Sequence, residues 1–424
     1  MVTEDKQTVR AVLVGIAESS ASLDACERNL SELESLVETA GGVTVAKVTQ
    51  IKSSFDPRTL IGRGKVAEVA ELCRALEATT VVFDMELSPS QIRNLEEDMQ
   101  TVNVIDRSML VLDIFALHAV TGEGKLQVEL AQLKYTSPRL VGKGIELSRQ
   151  GGGIGTRGPG ESKLETDKRH LKERIRALES ALSEMERNRA VMRRQRDRSG
   201  LTEVAIVGYT NAGKSTLLNY LTDAGVLSED KLFATLDPTT RRMTLPSGVD
   251  ILLTDTVGFI RNLPHHLVEA FKSTLDEVRY ADILLVVADA TSADVQDQVK
   301  VTREVIEDLG AKDTPILYAY NKCDALQGRG YVLSGENTVF ISAKTGDGVE
   351  DLLQRLDRLV QGSKRLCTLH IPYEKQGIVS QLYGSYTVES VDYLDGEIAV
   401  RVLLDTKGLG KYGQYLGEDA GTDE

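Results

Sequence analysis

The chain has 424 residues, 41% of them hydrophobic and 27% charged, which is enough material for several separate cores. No run approaches the ~18 apolar residues of a membrane span, and the first ten residues, MVTEDKQTVR, lack the apolar core of a signal peptide, so a cytoplasmic protein is expected. A net charge of −14 weighs against nucleic acid as a partner for the chain as a whole, and the four scattered cysteines follow no metal-ligand spacing.

From residue 10 to residue 106, short apolar runs alternate with stretches of helical period. Residues 11–16, 43–48, 81–84 and 102–106 read as strands; residues 23–39, 66–76 and a segment opened by Ser88-Pro89 read as helices. Strands alternating with helices imply a parallel sheet joined by right-handed crossovers, so residues 1–120 are expected to form a small α/β domain. The turn Gly62-Arg63-Gly64-Lys65 stands at a helix start and could offer N–H groups to an anion, but such turns more often relieve backbone strain, and it is not taken as a site.

Residues 121–200 read as a helical hairpin. A first helix over residues 122–135 puts Leu126, Leu130 and Leu133 on one face. A second, over residues 161–198, repeats Leu164, Leu171, Leu178, Met185 and Met192 every seventh residue, with Ile175 and Leu182 between them and Lys168 and Arg189 interrupting. Between the two lies RLVGKGIELSRQGGGIGTRGPG, residues 139–160, read as a long loop. From residue 134 to residue 198 there are seventeen Lys and Arg against nine Asp and Glu, a local reversal of the overall charge. The loop is either a solvated hairpin tip or a basic tip that orders on a polyanion; its length favours the second.

The chemistry is concentrated in residues 201–362. An apolar strand, residues 204–207, runs into Gly208-Tyr209-Thr210-Asn211-Ala212-Gly213-Lys214-Ser215 and then a helix, the strand–loop–helix setting that G-x-x-x-x-G-K-S requires. The loop's N–H groups and the helix N-terminus suit phosphate, Lys214 is placed for the β- and γ-phosphates, and Ser215 offers a hydroxyl to Mg²⁺. Asp255-Thr256-Val257-Gly258 follows another strand; Asp255 can hold Mg²⁺ through water while Gly258 offers its N–H to the γ-phosphate, so the segment after it is a natural switch. Asn321-Lys322-Cys323-Asp324 follows a third strand. The Asp324 carboxylate can accept from N1–H and the N2 amine of guanine, which adenine cannot match, while Asn321 would brace the loop and Lys322 lie along the base. Ser342-Ala343-Lys344, after a fourth strand, can complete the pocket around the guanine carbonyl. The four segments in this order predict a P-loop GTPase domain that binds GTP or GDP with Mg²⁺.

With GYTNAGKS, FATLDPT at residues 233–239, DTVGF, NKCD and SAK, together with RQGGGIGTRGPGESKLETDKRHLKERI at residues 149–175 and SSFDPRTLIGRGK at residues 53–65, the chain resembles the HflX GTPases, relatives of the Obg-type GTPases. The likeness covers about residues 10–365. It implies an enzyme hydrolysing GTP on the ribosome, chiefly the large (50S) subunit, in splitting or rescue under stress, and contact with 23S rRNA through the Gly-rich loop and N-terminal region. It places Phe233, Ala234, Thr235, Leu236 and Asp237 at the nucleotide, with Ser215, Thr235 and Asp255 as metal residues and Lys214, Thr235 and Gly258 as catalytic ones. A ribosome-assembly GTPase of the Obg or Era type is the alternative, as is a GTP-regulated RNA-binding protein with negligible turnover.

Where Ras-like proteins carry a Gln after D-x-x-G, this chain has Phe259, which cannot orient water, so slow intrinsic turnover is expected. His265 and His266 are nearby, though switch-helix histidines are more often simply solvated. Residues 363–424 read as a small C-terminal α+β domain with a strand at residues 397–403 and an acidic tail. The whole is thus expected to be an α/β P-loop GTPase with accessory domains at both ends, acting as a monomer.

Overall fold

The structure is a computed structural model, and it describes residues 8–100, 102–149, 159–197, 201–222, 232–262, 267, 272–326, 335, 337–362, 365–404 and 406–417. These pack as two compact units. One comprises Met1–Met185, Glu229–Asp237 and Val257–Thr274; the other comprises Glu186–Ser228, Pro238–Thr256 and Leu275–Glu424.

In the first unit, β1 (Arg10–Ala17), β2 (Val43–Ile51), β3 (Thr80–Phe83) and β4 (Asn103–Asp106) form a parallel sheet in the order β2-β1-β3-β4. The alternating elements read from the sequence are all present, with α1 (Leu23–Thr39), α2 (Arg63–Ala75) and α3 (Pro89–Met99) between the strands. The start of α3 is set by a capping box, in which Ser88 Oγ accepts from Gln91 N and the Gln91 side chain accepts from Ser88 N, with Pro89 at the first helical position. A fourth helix not anticipated, α4 (Arg107–His118), begins where Asp106 Oδ1 accepts from Met109 N at 3.0 Å.

At the carboxyl ends of these strands Arg107 is only 2% exposed. Its guanidinium donates to Asp84 Oδ1 at 2.6 Å and to Glu32 Oε1 at 2.8 Å. Burial pushes the Asp84 carboxyl up, against the lowering pull of Arg107.

The hairpin differs from the sequence reading. The first helix, α5 (Gly122–Arg149), runs fourteen residues past its expected end, straight through Pro138 and the first half of the supposed loop. Isolated glycines at 142 and 144 are affordable within a long helix. The second helix is α6 (Pro159–Asp197), and residues 150–158, the glycine-densest part of the segment, lie outside the described residues. The buried face of α5 carries Gly124, Gln127, Val128 and Ala131 rather than the three leucines. On α6 the heptad seam is fully buried only at Leu178, and Met192 is 63% exposed; the side chain of Leu164 is outside the described set. Ion pairs Arg174–Glu129 and Lys134–Glu179 tie the two helices together.

The second unit holds a six-stranded sheet in the order β10-β9-β8-β5-β7-β6. Its strands are β5 (Thr202–Gly208), β6 (Thr239–Thr244), β7 (Asp250–Asp255), β8 (Ile283–Asp289), β9 (Ile316–Asn321) and β10 (Thr338–Phe340), all parallel except β6. Helices α7 (Lys214–Thr222), α8 (Lys272–Tyr280), α9 (Val295–Asp308) and α10 (Val349–Gly362) connect them. The strands are continuous apolar runs because both faces are covered; Ile206, Leu253, Leu285 and Leu317 are fully buried with Leu217 and Leu356 of the helices. The same unit ends in an antiparallel sheet, β11 (Arg365–Pro372), β13 (Glu397–Leu404) and β12 (Thr387–Leu394) in that order, with α11 (Gly377–Ser385) and α12 (Thr406–Tyr412). Strand β13 alternates, burying Ile398, Val400, Val402 and Leu404.

Arg107→Leu would remove the buried guanidinium that Asp84 and Glu32 share, and is expected to destabilise the first unit by about 3–5 kcal/mol. Urea unfolding followed by circular dichroism would read this as a lower midpoint; an unmoved midpoint would show the ion group to be dispensable.

Candidate functional site

In the second unit, the loops that follow β5, β7, β9 and β10 leave the carboxyl edge of the sheet, where ligands of open α/β sheets bind. Those loops carry Gly208 to Ser215, Asp255 and Thr256, Asn321 to Asp324, and Ser342 to Lys344.

The phosphate-type loop presses on its neighbour strand. Gly208 has φ of +149°, and a Cβ there would run into the Val287 carbonyl of β8, so only glycine fits. Asn211 also takes a left-handed conformation, at φ +58°. Lys214 is buried, and its Nζ donates to the carbonyls of Tyr209 at 2.9 Å and Gly208 at 3.2 Å. Burial lowers the Lys214 ammonium to about 8, with Asp255 pulling the other way. Ser215 Oγ donates to Asp255 Oδ2 at 2.6 Å, and Asp255 is fully buried. One hydroxyl and one carboxylate, both hard oxygen donors, suit Mg²⁺, which fills its remaining positions with water and phosphate oxygens. Thr256 is held by its hydroxyl donating to Ile206 O at 2.7 Å.

Asn321 is 2% exposed and joins two of these loops. Its Nδ2 donates to Ala212 O at 2.9 Å, and its Oδ1 accepts from Ala343 N at 2.8 Å. Lys322, at φ +67°, turns the chain and pairs with Asp289 Oδ2 at 2.8 Å. Cys323 N donates to Ile341 O, and its thiol to Tyr320 O. Asp324 Oδ1 accepts from the Ser342 hydroxyl at 2.7 Å, which fixes a carboxylate beside the Ser342-Ala343-Lys344 turn. Ser342 and Ala343 are buried and Lys344 is exposed. Asp289 was not singled out from sequence, although it ends the apolar run of β8 just as Asp255 ends β7; that strand-end position was the available signal.

The remaining candidates, Phe233, Ala234, Thr235, Leu236, Asp237, Val257 and Gly258, belong to the first unit. Phe233 and Leu236 are buried and Thr235 is half-buried. Asp237 engages the start of α5: Oδ2 accepts from Val120 N at 2.9 Å and Thr121 N at 2.8 Å, and Oδ1 from Thr121 Oγ1 at 2.5 Å. Phe259 is 1% exposed, a packed side chain with no polar atom to offer water. Arg261 N donates to Glu32 Oε1 at 3.2 Å. His265 and His266 lie outside the described residues.

Four family models match in succession: "GTP-binding GTPase N-terminal" over residues 27–116, "GTP-binding GTPase Middle Region" over 118–196, "50S ribosome-binding GTPase" over 203–322 and "HflX C-terminal domain" over 331–422. The chain is 51% identical to "GTPase HflX" of Lacrimispora saccharolytica, covering 94% of each chain. It is 49% identical to "GTPase HflX" of Caldanaerobacter subterraneus, over 94% of this chain and 91% of that one, and 43% identical to "GTPase HflX" of Escherichia coli K12, over 89% of each. Among solved structures, a GTP-binding protein from Sulfolobus solfataricus in complex with GDP is 26% identical over 84% of this chain and 99% of that one, with a TM-score of 0.44.

The Lys214 position has a pH signature. Phosphate favours the ammonium form, so above pH 8 binding must take up a proton, and affinity for a nucleoside triphosphate is expected to fall by up to about tenfold per pH unit. Below pH 8 this group contributes no slope. Because the unfolded chain binds that proton more tightly than the fold does, the same group adds stability as pH rises from about 8 toward the ordinary lysine range. Calorimetric titrations between pH 7 and 9.5 would show the decline in the parent and its absence in Lys214→Met.

Proposed function

Given that the chain belongs to the HflX family of GTPases, enzymes that bind and hydrolyse GTP, we propose that it acts on the ribosome, binding the large subunit in its GTP form and hydrolysing GTP faster there than alone. The observation that carries the nucleotide part is the convergence of four motif segments at one sheet edge, two of them joined by the Asn321 side chain. Loop N–H groups from Gly208 to Ser215 cradle the phosphates, with Lys214 exchanging its two carbonyl partners for phosphate oxygens. Ser215 and Asp255 are residues that would hold Mg²⁺, whose part is to neutralise charge on the β- and γ-phosphates, and the family resemblance adds Thr235 to them. Gly258 offers its N–H to the γ-phosphate. Asp324 accepts from the guanine N1–H and N2 amine, and the Ser342-Ala343-Lys344 turn surrounds the guanine carbonyl.

Hydrolysis needs a positioned water, and the buried, apolar Phe259 supplies no group for that. The missing contribution comes from docking. Support for the ribosome as the docking partner is the matched "50S ribosome-binding GTPase" model, together with the excess of Lys and Arg between residues 134 and 198. Splitting or rescue of stalled ribosomes under stress is the role this reading favours, with the 150–158 segment and its flanks meeting 23S rRNA.

Two measurements test the reading. Asp324→Asn should bind GDP about a hundredfold more weakly while gaining xanthosine nucleotides, since two hydrogen bonds to a charged acceptor are lost; unchanged preference for guanine by calorimetry would contradict the assignment. Purified 50S subunits should raise multiple-turnover phosphate release from GTP, and the increase should fade as salt is added. No increase at low salt would remove the ribosome from the proposal.

A further inference from the structure

Lys322, in the segment read as recognising the base, is fixed at both ends of its side chain. Its backbone takes φ of +67°, a left-handed conformation uncommon outside glycine. The residues on either side are held: Asn321 O accepts from Ala290 N at 2.9 Å, and Cys323 N donates to Ile341 O at 3.1 Å. A Cβ on Gly213 would run into the Asn321 amide, so the phosphate-type loop packs against this stretch as well. The far end of the side chain meets Asp289, whose Oδ2 lies 2.8 Å from Nζ.

Asp289 is itself constrained. It ends β8 opposite Asn321 in the register of the parallel pair. Its other oxygen, Oδ1, accepts from Thr291 N at 2.9 Å and from Thr291 Oγ1 at 2.6 Å. The carboxylate thus has one oxygen for its own turn and one for the lysine. With side chains 20% and 32% exposed, both charges keep some water, so the pair adds little to the stability of the fold. Its effect is to remove rotamer freedom from a flexible four-carbon stem. That stem leaves the chain two residues before Asp324, whose own carboxylate is held by the Ser342 hydroxyl.

We propose that Asp289 is a positioning residue for the guanine base: it does not touch the nucleotide, but holds the Lys322 stem stretched as a wall along which the base lies. The proposal rests on the reading of Asn321 to Asp324 as the base-recognising segment. Base choice stays with Asp324, since a hydrocarbon stem offers no hydrogen bond. Asp289 sets affinity instead, because a side chain already in place does not have to be ordered when the base enters. GDP and GTP carry the same base, so both gain equally.

In calorimetric titrations of the full-length protein, Asp289→Ala should weaken GDP and a non-hydrolysable GTP analogue alike, by about three- to tenfold, the usual cost of immobilising one long side chain on binding. Preference for guanine over xanthine nucleotides should not change. Two comparisons separate positioning from general loosening of the loops. Inorganic tripolyphosphate with Mg²⁺ has no base, and its affinity should be the same in variant and parent. In a Lys322→Met background, which lacks the ammonium, Asp289→Ala should cost nothing further, whereas a carboxylate serving only its own turn would cost as much without the ammonium as with it. Asp289→Asn, which keeps an acceptor for Thr291, should fall between parent and Asp289→Ala, and serves should the latter fail to fold. Equal loss for tripolyphosphate, additive losses from the Asp289 and Lys322 substitutions, or unchanged GDP affinity in both Asp289 variants overturns the positioning role. Failure of the parent itself to bind GDP would instead sink the base site on which the proposal rests, a separate result.

Discussion

One buried amide holds the nucleotide edge of the second unit together. Asn321 donates to the carbonyl of Ala212 in the phosphate-type loop and accepts from the amide of Ala343 in the turn beside Asp324. Both partners are main-chain groups that β-sheet pairing does not satisfy, so leaving either bare in a buried setting would cost about 1–3 kcal/mol. The same side chain thereby fixes the spacing between the loop from Gly208 to Ser215 and the turn beside Asp324. Neither loop has a core of its own; each borrows rigidity from β9 through this residue. Asp289 does a related service by pairing with Lys322 and holding the turned backbone between them.

The first unit treats its two switch-type segments differently from a loose loop. Phe233, Leu236 and Ile260 are core residues there, and the main chain of Arg261 is bound by a carboxylate that also serves a buried arginine. Apolar burial gives these segments a default conformation, and the polar contacts at Asp237 and Glu32 select its register. Any rearrangement of these segments thus involves breaking identifiable contacts rather than ordering a random chain.

Much of this was open to sequence reasoning, and the reasons are physical. Gly208, Asp255 and Asn321 sit at strand ends and Lys214 at a helix start, inside short motifs where spacing along the chain dictates spacing in the fold. The alternating elements of residues 10–106 were readable because buried parallel strands are apolar runs of fixed length. The end of α5 was not: glycine content argued for a loop from residue 139, while helix continuity, set by the flanking residues, carried it to Arg149. The seven-residue repeat on α6 stated which face is apolar, but not which of its positions a neighbour would cover: Leu178 is buried and Met192 is exposed. The seat of Asp237 lay beyond reach for a different reason. Thr121 and Gly124 match no motif, and the contact joins residues more than a hundred positions apart, so nothing local in either segment announces it.

Glu32 has one carboxylate oxygen shared by Arg107 and by the amide of Arg261. An excursion of the main chain at Arg261 would strip that oxygen of one of its donors, so displacement of the backbone there would be felt at the buried Arg107 guanidinium beside β4.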